Sequence, residues 1–289
     1  MALNRAQRTR LAQGWALHQQ GKLVEAEKSY EAVRRQAPRD PEVLHLLGTV
    51  ALRTDRAALA VELIEAALRQ DPKLANAHNN LGNAFLEMKR AEDAIACYEI
   101  GLKLLPGDAE LHNNRGNARM RLDEFVAALA DYDFAIARKP IYPEAWSNRG
   151  LVLELLKRPD DALESYARAL SLRPQFADAH ARRGTLLVSL ARQAEAISSL
   201  RRAIALKPEM IDAYIQLGIA YSQTDRPDEA QESFAAALAL DPDSIEAQIA
   251  QSMTWLRVSK LEEAHAGFDR IVTLRPNSAM AHDAHGVVL

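Results

Sequence analysis

The feature that most constrains the fold of this sequence is a period of 34 residues. Prolines recur at this interval at Pro38, Pro72, Pro106, Pro140, Pro174, Pro208, Pro242 and Pro276. Alanines recur without exception at Ala26, Ala60, Ala94, Ala128, Ala162, Ala196, Ala230 and Ala264. A period of this length indicates a repeat architecture, in which one small supersecondary unit is stacked many times along the chain.

A glycine series keeps the same step and serves to number each repeat. It comprises Gly14, Gly48, Gly82, Gly116, Gly150, Gly184, Gly218 and Gly286, with Ser252 in the one exceptional place. With glycine at position 8, alanine is position 20, a bulkier residue is position 24 and proline is position 32. Eight repeats then occupy residues 7–40, 41–74, 75–108, 109–142, 143–176, 177–210, 211–244 and 245–278, followed by a partial repeat at 279–289. No room is left for another domain, so residues 1–289 are predicted to form a single one.

Each repeat is predicted to form two α-helices. Apolar or small residues at positions 4, 7, 8 and 11 share one helical face, and those at positions 20, 24 and 27 share another. A proline in the first helical turn loses no hydrogen bond. Four further prolines therefore mark helix starts, namely Pro41, Pro143, Pro159 and Pro227. Glycine at position 8 and alanine at position 20 allow two helices to approach closely.

These residues resemble the tetratricopeptide repeat family over nearly the whole chain. The resemblance implies an all-α fold, an α-solenoid in which about eight antiparallel helix pairs wind into a right-handed superhelix with a concave groove. Runs such as AHNNLGNAFLEMKRAEDAIACYEIGLKLLP are also similar to the repeats that precede the catalytic part of O-linked N-acetylglucosamine transferases and of SPINDLY-type bacterial proteins.

Composition indicates which classes of partner are excluded and where the protein is located. The formal net charge of −3 argues against nucleic acid, because a phosphate backbone requires a basic surface. No uncharged apolar run approaches the roughly 18 residues of a membrane span, so no membrane insertion is expected. A single cysteine, Cys97, and an N-terminus without a signal-peptide pattern predict a reducing, cytoplasmic location. The oligomeric state is left open.

No catalytic motif is present, so this chain is not expected to be an enzyme or to carry a cofactor. It has no phosphate-binding glycine loop and no hydrolase, metalloprotease or CxxC motif. His78, His112 and His180 share position 4. Neighbouring repeats stack at about 9–10 Å, whereas the ligands of one zinc ion each lie about 2 Å from it. These histidines are therefore predicted to be packing residues, with no metal site.

The informative surface is the one that lines the groove in the family that the chain resembles. It consists of positions 2, 5, 6, 9, 12 and 13 of the first helix, and we call it the groove face. Eight of the ten asparagines of the chain fall on it, in three consecutive repeats. The predicted binding residues are Asn79, Asn80, Asn83, Asn113, Asn114, Asn117 and Asn148, continued at position 6 by Arg182 and Gln216.

An asparagine side chain carries an acceptor and a donor side by side, which complements a peptide bond whatever the residue. The groove face is therefore predicted to hold a protein or peptide in an extended conformation. The transferase resemblance implies the same role for an asparagine ladder at position 6. The alternative is that these asparagines form a solvated surface or bond between neighbouring helices.

Two further arrangements would bind charged ligands. A carboxylate clamp of the chaperone-binding type would use Asn117, Asn148 and Arg182, but it needs lysines where the chain has Asn113 and Asp178, so it is disfavoured. Arginines at position 7 either bind acidic or phosphorylated ligands or pair with an acid of a neighbouring repeat while their stems pack. This row consists of Arg115, Arg149 and Arg183.

The leading functional hypothesis is a non-enzymatic scaffold for protein–protein interaction that binds an extended peptide. The alternative is the N-terminal substrate-recognition region of a protein glycosyltransferase whose catalytic domain is absent from this chain. A third function, assembly of secreted or envelope proteins, would require an export signal or lipid anchor that the sequence does not show. The incomplete ninth repeat at 279–289 predicts that the chain is a piece of a longer protein.

Overall fold

The structure, a computed structural model, describes residues 3–274. Within this range the chain forms sixteen α-helices and no strand, which confirms the predicted all-α fold and its helix pairs. The partial repeat at 279–289 lies outside the described residues. Contacts divide the chain into two compact units, one ending at Val152 and the other beginning at Leu153. The expectation of a single uninterrupted domain stays a prediction.

Unit 1 is built from consecutive helix pairs. Its first helices are α1 (Arg5–Gln19), α3 (Pro41–Arg53), α5 (Ala75–Glu87), α7 (Ala109–Arg121) and most of α9 (Pro143–Leu155). Its second helices are α2 (Leu23–Arg34), α4 (Ala57–Gln70), α6 (Ala91–Leu104) and α8 (Phe125–Arg138). Consecutive helices from α1 to α8 pack on each other, and α5 also contacts α3 and α7. The first helices therefore form a layer of their own.

Unit 2 repeats this arrangement. Its second helices are α10 (Pro159–Leu172), α12 (Gln193–Leu206), α14 (Pro227–Leu240) and α16 (Leu261–Leu274). Its first helices are α11 (Ala177–Ser189), α13 (Ile211–Ser222) and α15 (Ile245–Arg257). Here α13 contacts α11 and α15, so the first helices again form a layer. Helices α3, α9, α10 and α14 begin at the four prolines predicted to start them.

In the repeats that lie within one unit, positions 8, 20 and 24 pack together in the core. All eight alanines at position 20 are 0% exposed. The residues at position 24 are at most 1% exposed, namely Tyr30, Ile64, Tyr98, Tyr132, Tyr166, Leu200, Phe234 and Phe268. A Cβ added to Gly116 would lie 2.7 Å from Tyr132 Cε1, which is too close for two carbon atoms. The glycine therefore sets the separation of the two helices, as predicted.

The eighth repeat keeps this close approach although Ser252 replaces the glycine. Ser252 faces Gly267 on the second helix. In this repeat the glycine therefore lies on the second helix instead of the first. The exception in the sequence thus has a structural compensation in the same repeat.

A left-handed residue joins the two helices of each repeat and was not predicted from the sequence. It lies at position 15, where Gly21 has φ of 76° and the other residues have φ from 54° to 60°. These residues are Asp55, Lys89, Asp123, Lys157, Ala191, Asp225 and Ser259. The chemical types differ, so no shared residue type revealed the position. A residue with a Cβ is strained there by about 1–2 kcal/mol.

Replacing Gly116 by alanine tests the helix contact. We expect Gly116→Ala to lower the free energy of unfolding by about 1–3 kcal/mol, because the new Cβ overlaps the buried Tyr132 ring. Denaturant unfolding followed by circular dichroism measures the change. Gly107→Ala is the control, because the nearest atom to a Cβ there is 3.9 Å away. Equal losses in the two variants would contradict the role assigned to the contact.

Replacing Ala191 by glycine tests the left-handed turn. Ala191 has φ of 55°, so Ala191→Gly is expected to raise the free energy of unfolding by about 0.5–1 kcal/mol. Ala235→Gly, at an exposed site within α14, should lower it by about the same amount. The same unfolding measurement distinguishes the two signs, and a loss of stability in both variants would refute the assignment.

Candidate functional site

The groove face of unit 1 carries a ladder of hydrogen bonds between first helices. Asn80 Nδ2 donates to His45 Nε2 at 2.9 Å and to Thr49 Oγ1 at 3.0 Å, both on α3. One repeat further, Asn114 Nδ2 donates to Asn79 Oδ1 at 3.0 Å and so joins α7 to α5. The position-6 asparagines therefore bond to the preceding first helix.

The ladder continues from α7 to α9. Asn148 Nδ2 donates to Asn113 Oδ1 at 3.1 Å and to Asn117 Oδ1 at 3.0 Å. The same Asn117 Oδ1 accepts from the Tyr132 hydroxyl at 2.8 Å. A core tyrosine at position 24 thus reaches through to the groove face and fixes the asparagine at position 9.

Position 9 has the same partner one repeat earlier. The hydroxyl of Tyr98 donates to Asn83 Oδ1 at 2.6 Å. Burial raises the pKa of Tyr98, with smaller contributions from Cys97 and Glu110, so the phenol keeps its proton and remains a donor. The side-chain oxygens of Asn83 and Asn117 therefore each accept a hydrogen bond from a core tyrosine.

The ladder changes what these asparagines can offer a ligand. Asn79 and Asn113 are only 8% and 4% exposed, and each bonds to side chains of the first helices, which leaves little surface for a peptide. Asn80 and Asn148 use both amide hydrogens within the protein. The expected clamp of donor and acceptor is thus reduced, since only their Oδ1 atoms lack a partner within residues 3–274.

His45 must be neutral to accept the hydrogen bond from Asn80. Burial lowers the pKa of His45 to about 4, partly opposed by a hydrogen bond to the backbone of Asn76. The neutral ring therefore persists well below neutral pH, and the first step of the ladder persists with it.

Two cavities lie on the groove face, one in each unit. The cavity of unit 1 measures about 730 Å³, and its wall includes Trp15, which is 47% exposed at position 9. The cavity of unit 2 measures about 690 Å³ and also has an exposed position-9 residue, Met253, at 45%. Its wall is mainly apolar and includes Ile215, Ile219, Ile249 and Leu256. Positions 5, 6 and 9 thus line a cavity in both units.

The two predicted site residues of unit 2 lie in different surroundings. Gln216 lines the apolar cavity. Arg182 is exposed on α11, and its charge acts on Glu154, which accepts a hydrogen bond from the Tyr166 hydroxyl. Burial raises the pKa of Glu154, and the tyrosine and Arg182 only partly oppose that rise. Arg182 therefore acts on a half-buried acid of the groove face.

The position-7 arginines pair with acids of the protein, but only Arg149 pairs with a neighbouring repeat, as predicted; Arg115 and Arg183 pair within their own repeats. Arg183 shares its acid, Glu195, with Arg192. The pairs are Arg115–Asp131, Arg149–Asp133 and Arg183–Glu195, with N–O distances of 2.7, 2.7 and 3.4 Å.

Position 4 holds a side chain that donates a hydrogen bond to the carbonyl oxygen of the preceding position-32 proline. The pairs are His78–Pro72, His112–Pro106, Trp146–Pro140, His180–Pro174 and Gln248–Pro242, at 2.8–3.3 Å. This bond fixes the loop between repeats and gives the histidines a structural role. In the described part of the chain, no three His, Cys, Asp or Glu side chains are grouped so that they could hold a metal ion.

Comparison with known sequences places the chain in a family. The tetratricopeptide repeat family matches residues 5–41, 45–109, 79–133, 113–175 and 156–211, and a second description of the same repeat matches residues 187–256. The chain therefore belongs to the tetratricopeptide repeat family, whose fold serves as a scaffold for protein–protein interaction. No curated protein matches the chain.

Solved structures share the fold. PilF from Pseudomonas aeruginosa is 21% identical with a TM-score of 0.67, over 74% of this chain and 97% of that one. The Cut9–Hcn1 structure is 15% identical with a TM-score of 0.72, over 92% of this chain and 52% of that one. YrrB, a repeat protein with an unusual peptide-binding site, is 23% identical with a TM-score of 0.54, over 66% and 98% of the two chains. At these identities the likeness concerns the fold alone.

The comparisons give no support to the narrower resemblance to glycosyltransferase repeats, which stays a prediction. Among residues 3–274, no helix has the length and apolar content needed to cross a membrane.

Acid titration of His45 tests the ladder. In the unfolded chain His45 takes up a proton near its ordinary pKa of 6.5, but in the folded chain only near 4. Stability is therefore present above that ordinary pKa and is lost as pH falls toward 4, by about 2–3 kcal/mol. His45→Gln keeps an acceptor for Asn80 and should remove this part of the pH dependence.

The measurement is the free energy of unfolding from about pH 7 to about pH 4, since the histidine contribution falls in this window. Val126→Gln is the control, because Val126 is exposed and the substitution changes no titratable group. If His45→Gln showed the wild-type slope, the neutral histidine in the ladder would be disproved.

Proposed function

We propose that the chain binds extended peptide segments along its groove face, with a side-chain anchor in the cavity of each unit. The observation that carries this proposal is the coincidence of repeat positions. The cavity of each unit is lined from positions 5, 6 and 9, which are also the positions that carry the asparagine ladder. The family fold supports the scaffold role. The groove face offers a surface on which the same repeat positions recur along the chain.

The unpaired oxygens of the ladder have a spacing that suits a peptide backbone. Asn80 Oδ1 and Asn148 Oδ1 belong to first helices two repeats apart, or about 18–20 Å at the usual helix separation. Six residues of extended chain span about 20 Å, and N–H groups six residues apart point to the same side. Asn114 lies between them, about three residues along, where the peptide N–H points away.

A peptide N–H that points away from Asn114 agrees with the hydrogen bond that Asn114 already accepts. Its oxygen accepts from Asn113 Nδ2 at 3.2 Å, so it is already used within the protein. The two oxygens that remain are held in place by the ladder, and a preorganised acceptor loses little entropy when it binds. The ladder thus holds two acceptors rigidly, in place of the pair of donor and acceptor that the sequence predicts at each asparagine.

Anchoring in the cavities is expected to supply most of the affinity. Each hydrogen bond to the ladder contributes only about 0.5–1.5 kcal/mol, whereas a buried apolar side chain contributes about 1.5–3 kcal/mol. The segment bound by each unit is therefore expected to be extended, with an apolar side chain at the cavity and tolerant positions along the rest of the groove face. A cytoplasmic location is part of the proposal, supported by the free, buried thiol of Cys97.

The glycosyltransferase alternative rests on the sequence resemblance alone. No contact on the groove face distinguishes a substrate-selecting region from a separate scaffold, so the scaffold is the function proposed.

Peptides selected from a random display library against the full chain test the anchors. We expect each selected peptide to lose at least about tenfold in affinity on Trp15→Glu or on Met253→Glu, according to the unit that binds it, because a charge enters the anchoring cavity. Val126→Glu is the matched control, since Val126 is 74% exposed at position 18, off the groove face. Fluorescence anisotropy gives the dissociation constants.

The same peptides test the ladder without altering the protein. Methylating one backbone nitrogen at a time should weaken binding about 3- to 10-fold at two positions about six residues apart, where an N–H is lost. Peptides that bound Trp15→Glu and Met253→Glu as tightly as the wild-type chain would exclude the groove face as the site.

A further inference from the structure

Repeats four and six share a histidine at position 4 and an arginine at position 7 but differ at position 23. In repeat four that position is Asp131, which is only 2% exposed. Asp131 Oδ1 lies 3.0 Å from His112 Nδ1 and 2.7 Å from an Arg115 nitrogen. Asp131 Oδ2 accepts from Arg115 Nε at 3.0 Å and from Arg119 at 2.7 Å. These side chains form a complete binding site for a carboxylate.

The pKa of Asp131 shows that the side chains around it stabilise its ionised form. Burial alone would raise the pKa of the carboxyl group, but the bonds from His112 and Arg115 outweigh it and hold the pKa below its usual range. A buried carboxylate is thus kept ionised by the histidine and the arginine on the facing helix.

Repeat six has the same two side chains but no acid between them. Position 23 is Ser199, whose hydroxyl accepts from Arg183 at 2.8 Å. His180 Nε2 is bonded to the Pro174 carbonyl oxygen, as in the other repeats, but His180 Nδ1 is buried and has no partner. The equivalent nitrogen of His112 is the one that contacts the carboxylate. Repeat six therefore lacks the anion that repeat four supplies from its own chain.

A cavity of about 420 Å³ occupies this place in unit 2. Its wall includes His180, Arg183, Ser198, Ser199, Arg201 and Arg202, with no acid among them. Arg201 and Arg202 are exposed, and neither forms an ion pair within residues 3–274. Arg183 is the one arginine of the wall with a partner acid, Glu195, at 3.4 Å. The wall therefore carries uncompensated positive charge.

We propose that this cavity binds a phosphate group carried on a side chain of a protein partner. Three guanidinium groups and two hydroxyls can serve more oxygen atoms than a carboxylate has, and guanidinium groups suit phosphate in a bidentate geometry. The overall charge of −3 opposes a long polyanion such as RNA but not a single local phosphate. The site uses none of the groove-face positions, so it is separate from the proposed peptide site.

Inorganic phosphate is the first probe, titrated into the full chain by calorimetry. Ser199→Asp should lower the affinity at least about tenfold, because it supplies the carboxylate that repeat four has and fills the site. Arg202→Gln should lower it about 3- to 10-fold by removing one charged donor. Arg158→Gln is the control, because this exposed arginine of unit 2 pairs with Asp161 outside the cavity.

A structural readout accompanies the titration. Ser199→Asp should raise the melting temperature in the absence of phosphate, because the new carboxylate lies beside Arg183 in a wall that has no acid of its own. Arg202→Gln lies on the surface and keeps the proposal testable if the aspartate variant fails to fold. Absence of phosphate binding to the wild-type chain, or binding that neither variant weakens, would overturn the site.

Two small probes identify the source of the phosphate. N-acetyl-phosphoserine amide should bind at least as tightly as inorganic phosphate, and N-acetylserine amide should not bind. A phosphoserine probe that binds about tenfold more weakly than inorganic phosphate would overturn the proposal of a protein-borne group, since the attached backbone would then be excluded. Acetate that binds as tightly as phosphate would overturn the preference for phosphate.

Discussion

The contact between the position-8 glycine and the position-24 side chain underlies everything else in this molecule. Because Gly82 has no Cβ, the ring of Tyr98 can lie against the backbone of the facing helix. That approach fixes the two helices of a repeat and aims the tyrosine hydroxyl through to the groove face, where it holds Asn83. A steric constraint in the core thus determines the position of a polar group on the surface.

The asparagines brace the groove face from one repeat to the next. Hydrogen bonds such as the one from Asn114 to Asn79 join neighbouring first helices. The same bonds use most of the polar groups that a ligand could have used. In the proposed function a small number of rigid acceptors remain for a peptide, and affinity then depends on the cavities beside them.

The repeats of one chain can also be compared with each other at equivalent positions. Asp131 and Ser199 occupy one repeat position in surroundings that share a histidine and an arginine. Where the acid is present, the charges are balanced and the side chains are buried. Where it is absent, a basic cavity and an unpartnered His180 nitrogen remain. A function acquired by one repeat can therefore be recognised by comparison with its neighbours.

The sequence by itself determined the helix pairs, their starts at prolines such as Pro41, and the buried positions 8, 20 and 24, because backbone geometry and burial repeat with the chain. It did not reveal the left-handed position 15, where residue types vary while φ stays constant. Only the tertiary structure decided which atoms of Asn80 and Asn148 remain unpaired and which repeat lacks an anion. Those facts depend on distances between residues about 30 positions apart, which a pattern within one repeat cannot specify.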